Sequence, residues 1–131
     1  MTLAVELVSP ERILFSGDAT MVRARTVGGG DIAFLSGHAP FVGALAIATV
    51  EITLAEGGSE VAAVHGGFIE VSNNNVKILS DLAELSSTID TERARRAREK
   101  AEVAVQNSND AEAIAALSRA SARLLAVEGF H

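Results

Sequence analysis

Ser86-Ser87-Thr88-Ile89-Asp90 divides this chain into two parts of different chemistry. Ahead of it lie ten of the eleven glycines, both prolines and four of the five phenylalanines, residues that punctuate turns and fill a core. Behind it runs Asp90-Thr91-Glu92-Arg93-Ala94-Arg95-Arg96-Ala97-Arg98-Glu99-Lys100, rich in strong helix formers. The break predicts a compact β module followed by a helical arm, with Asp90 and Arg93 three residues apart at the join.

Upstream of the break, short apolar runs alternate with turn signals. Leu3 to Val8 ends at Ser9-Pro10, and Arg12 to Phe15 ends at Ser16-Gly17-Asp18. Thr20 to Val27 alternates apolar with polar residues and runs into Gly28-Gly29-Gly30, which reads as a bare hairpin turn. Asp31 to Leu35 precedes the turn Ser36-Gly37-His38-Ala39-Pro40, and Ala46 to Leu54 closes at Glu56-Gly57-Gly58. Glu60 to His65 meets Gly66-Gly67. Phe68 to Val71 and Val76 to Leu79 flank Asn73-Asn74-Asn75, residues that tolerate a left-handed backbone. Strands this closely spaced, without helical periodicity between them, predict a sandwich or a small barrel.

Downstream, Asp90 is an N-cap candidate, with Glu92 placed to meet the positive helix end. A first helix is expected over 91–105 and a second over about 111–127, with Asn107-Ser108-Asn109-Asp110 as the loop of an antiparallel hairpin. Ala94, Ala97, Ala101 and Ala104 form one apolar stripe; Ile114, Leu117, Ser121, Leu124 and Val127 form its counterpart. Alanine permits close approach but buries little area, so the hairpin should hold by only a few kcal/mol, at about 25 cal/mol per Å² before entropy is subtracted.

The net charge of −6 is uneven. Residues 1–87 carry four bases against ten acids, whereas 88–131 balance seven against seven. An acidic β module without Trp or Tyr argues against a nucleic-acid partner, which needs a basic surface and stacking platforms. No stretch reaches the ~20 apolar residues of a membrane span. The N-terminus reads as neither signal nor transit peptide, and the absence of cysteine excludes disulfide and thiolate chemistry.

His38, His65 and His131 are far apart and lack ligand spacing, so no metal site is expected. Gly28-Gly29-Gly30 lacks the lysine of a phosphate loop, and no nucleophile elbow is present. The basic residues offer more. Arg93 and Lys100 share one side of the first helix, and Arg119 and Arg123 share a face of the second. Folded together they could converge on phosphate oxygens; the same residues also fit a solvated helix surface with Glu/Arg pairs.

Three segments in order carry a resemblance: Gly37-His38-Ala39-Pro40, then Gly66-Gly67-Phe68-Ile69-Glu70-Val71, then Ile89-Asp90-Thr91-Glu92-Arg93-Ala94. With Arg119-Ala120-Ser121-Ala122-Arg123-Leu124, they make essentially the whole chain resemble the epsilon subunit of bacterial F-type ATP synthase. The resemblance implies an α+β chain: an N-terminal β-sandwich of about ten short strands over 1–85, a hinge at 86–90, and a C-terminal two-helix antiparallel hairpin over 91–131. It implies a non-catalytic rotor subunit that binds the gamma subunit and the c-subunit ring. Its arm reaches toward the alpha/beta catalytic head and restrains ATP hydrolysis. The expected location is peripheral, at the cytoplasmic face of the bacterial inner membrane.

Some members of that family bind ATP as a regulatory ligand, although no cofactor is required. The resemblance carries this over to Glu84, Asp90, Arg93, Lys100, Arg119 and Arg123. Lys100 stands where those members usually have arginine, which keeps the charge and loses the guanidinium fork. Asp90 also serves as a plain helix cap. For the ring, the matching positions are Asp31 and His38, expected on neighbouring loops at one end of the sandwich; His38 also fits a tight turn before Pro40. His65 departs from the serine usual before Gly-Gly-Phe. Two other readings are a stand-alone ATP sensor and a β-sandwich adaptor with a helical tail.

Overall fold

In the computed structural model, which describes residues 1–108 and 110–128, side-chain alternation accounts for the strands. Leu3, Val5 and Leu7 are buried along β1 (Leu3–Val8), Ile69 and Val71 along β7 (Phe68–Ser72), and Val76 and Ile78 along β8 (Asn75–Leu79). Their neighbours mostly face outward, as a period of two requires. The remaining strands are β2 (Ile13–Thr26), β3 (Gly30–Leu35), β4 (Phe41–Ala44), β5 (Ile47–Leu54), β6 (Ser59–His65) and β9 (Ala83–Leu85). A 3-10 turn, Ser86–Thr88, leads to α1 (Thr91–Asn107) and α2 (Ala111–Glu128).

The strands hydrogen-bond in the order β4-β7-β8-β1-β2-β5-β6-β9, with β3 paired to β2, and fold over a shared core. Leu7, Val22, Phe34, Ile52, Ile69 and Ile78 lie in it, fully buried. Each such side chain contributes about 1.5–3 kcal/mol by leaving water. All pairings are antiparallel except β1 with β8. This is the expected β-sandwich, followed by the expected two helices.

Several details differ from the sequence expectation. Ser16-Gly17-Asp18 is not a turn: Ser16, Gly17 and Asp18 pair with Glu6, Val5 and Ala4, so two expected strands are one 14-residue β2. Its first part pairs with β1 and its second with β3 and β5, across an irregularity between Ala19 and Met21. β4 and β9 are too short for periodicity to reveal. The turn residues behave as expected, with Asn73 and Asn74 at φ 50° and 61°.

The arm lies on the outer face of the sandwich. α2 packs on β5 and β6, and α1 packs chiefly on α2. Ala122 and Ala126 meet Ala63 of β6, with Ile47, Val61 and Ile89 around them. Both faces of β6 are therefore covered, and Ala62, Ala63 and Val64 are buried in succession. The apolar stripes of the helices shift accordingly. Ala94 and Ala101 are buried in α1, but Ala97 is exposed. In α2 the buried residues are Ala120, Ala122, Leu124 and Ala126, while Ile114 and Val127 are exposed. The physical reason is that α2 has two covered sides, the sheet on one and α1 on the other.

One backbone position is uncompromising. Gly67 adopts φ +114°, and a Cβ there would run into the Leu79 carbonyl and the Ser80 Cα. Gly67→Ala is expected to lower unfolding free energy by at least ~2 kcal/mol, combining left-handed strain with a backbone clash; urea denaturation of both proteins measures it.

Candidate functional site

The join between sandwich and arm forms a pocket of about 330 Å³ lined by Glu84, Thr88, Ile89, Asp90, Arg93, Ala94, Ala97 and Arg123. Its size is at the lower end of the ~300–1,000 Å³ typical of small-molecule sites. Each wall comes from a different element. β9 pairs with β6 through Ala62–Leu85, Ala63–Glu84 and Val64–Ala83. Ala83 and Leu85 pack on the core, so alternation turns Glu84 to the outer face. There its Oε2 accepts from Arg123 Nε of α2 at 2.7 Å. This ion pair joins sheet to arm, with both side chains about one-quarter exposed.

Asp90 caps α1: its Oδ1 accepts from the Arg93 backbone N–H at 3.1 Å. The cap brings the Asp90 carboxylate and the start of Arg93 to the rim of the pocket. Among the described residues, no acid lies within 4.0 Å of the Arg93 guanidinium, whereas Arg95, Arg98, Arg119 and Arg123 each have a carboxylate partner. The pocket thus combines a helix N-terminus, an unpaired guanidinium and a second one held by a single acid, an arrangement suited to an anion.

The structure brings together four of the six residues expected to bind nucleotide: Glu84, Asp90, Arg93 and Arg123. Lys100 and Arg119 do not line the pocket. Lys100 is exposed two turns further along α1, and Arg119 pairs with Glu112 of its own helix at 2.6 Å. Thr88, Ile89, Ala94 and Ala97 line it as well, although none was among the six. A second cleft, of about 350 Å³, separates α2 from β2 and β5 and includes Arg23, Arg25, Asp31, Leu117 and Leu125. Its arginines already have partners, Arg23 with Glu51 and Arg25 with Asp31.

Asp31 and His38 are not on neighbouring loops. Asp31 is the second residue of β3 and His38 lies just beyond its other end, its N–H bonded to the Leu35 carbonyl; the strand between them, from Asp31 to Leu35, spans ~13 Å. Asp31 accepts from Arg25 Nε at 3.0 Å and Nη2 at 3.3 Å. That hydrogen-bonded guanidinium holds its carboxyl below the usual range. His38 packs edge-on against Phe34, with ring centroids 4.8 Å apart, and its Nδ1 is 2.7 Å from the Ala39 carbonyl. In that tautomer Nδ1–H donates, leaving Nε2 as an acceptor.

His65 is the ionisable residue whose position sequence reasoning missed. It ends β6 on the face shared with Val61 and Ala63, and its side chain is 3% exposed. Its Nε2 is 3.8 Å from Glu84 Oε2, too far for a hydrogen bond. Burial first, then the Arg123 charge, push the imidazole below its ordinary pKa; Glu84 opposes them. The sequence signal was a histidine ending a strand, and the charges that face it come from β9 and α2. His131 lies outside the described residues. Among the described residues, no His, Cys, Asp and Glu group could hold a metal ion, and no helix is long and apolar enough to cross a membrane.

Comparison with known proteins fits this architecture. Residues 2–86 match the family model described as ATP synthase, delta/epsilon chain, beta-sandwich domain. The ATP synthase epsilon chain of Streptomyces griseus is 47% identical over 125 residues, covering 95% of this chain and 94% of that protein. That of Thermobifida fusca is 45% identical over 129 residues, covering 96% and 92%. Among solved structures, the fold is similar to a chain of the mitochondrial ATP synthase of Euglena gracilis. The TM-score is 0.82 at 24% identity, over 98% of this chain and 82% of that one. A chain from the central stalk and c-ring of the Tetrahymena thermophila enzyme gives a TM-score of 0.54 at 16% identity, over 72% and 71%. A β-sandwich matched by the family model and a full-length likeness to epsilon chains together show that this chain belongs to the ATP synthase delta/epsilon family.

Proposed function

We propose that this chain is a non-catalytic central-stalk subunit of an F-type ATP synthase, with a helical arm that regulates ATP hydrolysis. The observation that carries this reading is the arm itself. It rests on the outer face of β5 and β6 through small side chains and one ion pair, beside an anion-suited pocket at its root. A contact of that kind opens without unfolding the sandwich, whose core lies on the opposite face of the same strands. In this reading the opened arm reaches the alpha/beta catalytic head and restrains hydrolysis. The whole chain sits peripherally at the cytoplasmic face of the bacterial inner membrane.

ATP is the ligand we assign to the hinge pocket, as a regulatory molecule and not a substrate. Arg93 and Arg123 would take phosphate oxygens, with Asp90 and Glu84 orienting them. Lys100 and Arg119, turned elsewhere in this conformation, would join only if their side chains swing toward the pocket. The pocket also supports the reading of a stand-alone ATP sensor, and the tests below separate the two.

Two surfaces suit the proposed rotor partners. Registered pairing of β4, β7 and β8 sets Ala44, Phe68 and Leu79 in one row. Phe68 is 58% and Leu79 44% exposed. Such apolar side chains exposed together mark interaction sites, and we assign this row to the gamma subunit. For the c-ring we assign the edge of β3, with Asp31 at one end and His38 at the other.

Deleting residues 88–131 is expected to raise ATP hydrolysis by the assembled enzyme while the truncated chain keeps its β circular-dichroism signal; an unchanged hydrolysis rate would remove the inhibitory role. Titration calorimetry with ATP should give saturable heat, weakened about tenfold or more by Arg93→Ala, the loss of one charge-assisted contact. No heat at millimolar ATP would discard the regulatory ligand and the sensor together. Phe68→Asp should abolish co-purification with the gamma subunit, and retention of the complex by this variant would move the gamma contact to another face.

A further inference from the structure

One buried ionisable ring beside the docked arm is not used by the hinge pocket. His65 does not line that pocket, and neither ring nitrogen has a hydrogen-bond partner among the described residues. The groups facing it are Glu84 on β9 and Arg119 and Arg123 on α2. Glu84 is the one acid among them, and its Oε2 is already engaged by Arg123 at 2.7 Å. Arg123 and a protonated His65 would therefore compete for the same oxygen, with a second guanidinium nearby. α2 brings both of those cations, so lifting it would remove the positive charge that opposes protonation of the ring.

We propose that His65 makes docking of the arm sensitive to protons: the docked arm accommodates a neutral ring, and protonation favours release of α2 from β5 and β6. The inference rests on the mobile arm proposed above. Its sign follows from the environment. Burial and Arg123 lower the pKa of the docked ring from its ordinary 6.5, and Glu84 only partly offsets them. Well above 6.5 the ring is neutral in both states and docking is at its strongest. As pH falls below that value, the undocked ring takes up its proton first. The docking equilibrium then weakens by up to about tenfold per pH unit, until the docked ring titrates as well.

Amide hydrogen exchange on the full chain tests this between about pH 5 and 8, the window in which histidine changes charge. Protection factors, which remove the intrinsic pH dependence of exchange, are compared for α2 and β6 in the wild type, His65→Gln and His65→Ser. NMR follows the His65 ring in parallel. The expected result is α2 protection that falls below pH 6.5 while β6 stays protected, a fall absent from both variants, and a His65 ring titrating below 6.5. The same pH dependence in both variants, or a ring titrating at or above 6.5, would overturn the inference. Separate opening of α2 without pH dependence overturns it alone. Opening of α2 only together with β6 at every pH overturns it along with the mobile arm.

Discussion

Ala63 has almost no side chain, and the position of the arm depends on that. It meets Ala122 and Ala126 across the gap between β6 and α2, so the helix lies close against the sheet. A larger residue at any of the three would push α2 outward. With the helix close, Arg123 reaches Glu84, the hinge pocket acquires its fourth wall and two guanidiniums come to face His65. The same smallness makes the contact weak. Alanine buries little area, and at about 25 cal/mol per Å² such a surface holds by only a few kcal/mol. Close placement and a small buried area thus come from one set of side chains.

The electrostatics of the join are concentrated on one carboxylate. Glu84 faces outward because β9 pairs with β6 and packs the half-buried Ala83 and Leu85 against the core on the other side. It is the acid between a guanidinium that comes with the arm and an imidazole that belongs to the sheet. A ligand in the hinge pocket and a proton on His65 would both act through the same pair, Glu84 with Arg123. Asp90 differs in kind. Its bond to the Arg93 N–H starts α1 whatever else the pocket holds, so its role as a cap stands independently of any ligand.

The sandwich was largely legible because its inward residues follow the strand period and its turns carry Gly, Asn and Pro at the bends. The helices were legible from composition and from Asp90. What escaped was whatever depends on two elements meeting. Ser16-Gly17-Asp18 has turn-like chemistry, yet pairing with β1 keeps it extended. Ala97 fits a helical stripe, yet it is exposed at the edge of the hinge pocket. The pocket residues Glu84, Asp90, Arg93 and Arg123 could be named from motif, but Arg119 turns back to Glu112, which no spacing rule foretold. His65 was visible only as an odd residue before two glycines, since the guanidiniums that face it come from a helix more than fifty residues further on.

The continuity of β2 has a mechanical consequence. One strand of 14 residues serves both halves of the sheet, paired with β1 along its first part and with β3 and β5 along its second. A force applied to one layer therefore passes to the other through covalent backbone as well as through hydrogen bonds and side-chain contacts. Sliding the layers past one another would shear a single peptide chain at Ala19–Met21. A body built this way twists as one piece, as the rotor role proposed above would require.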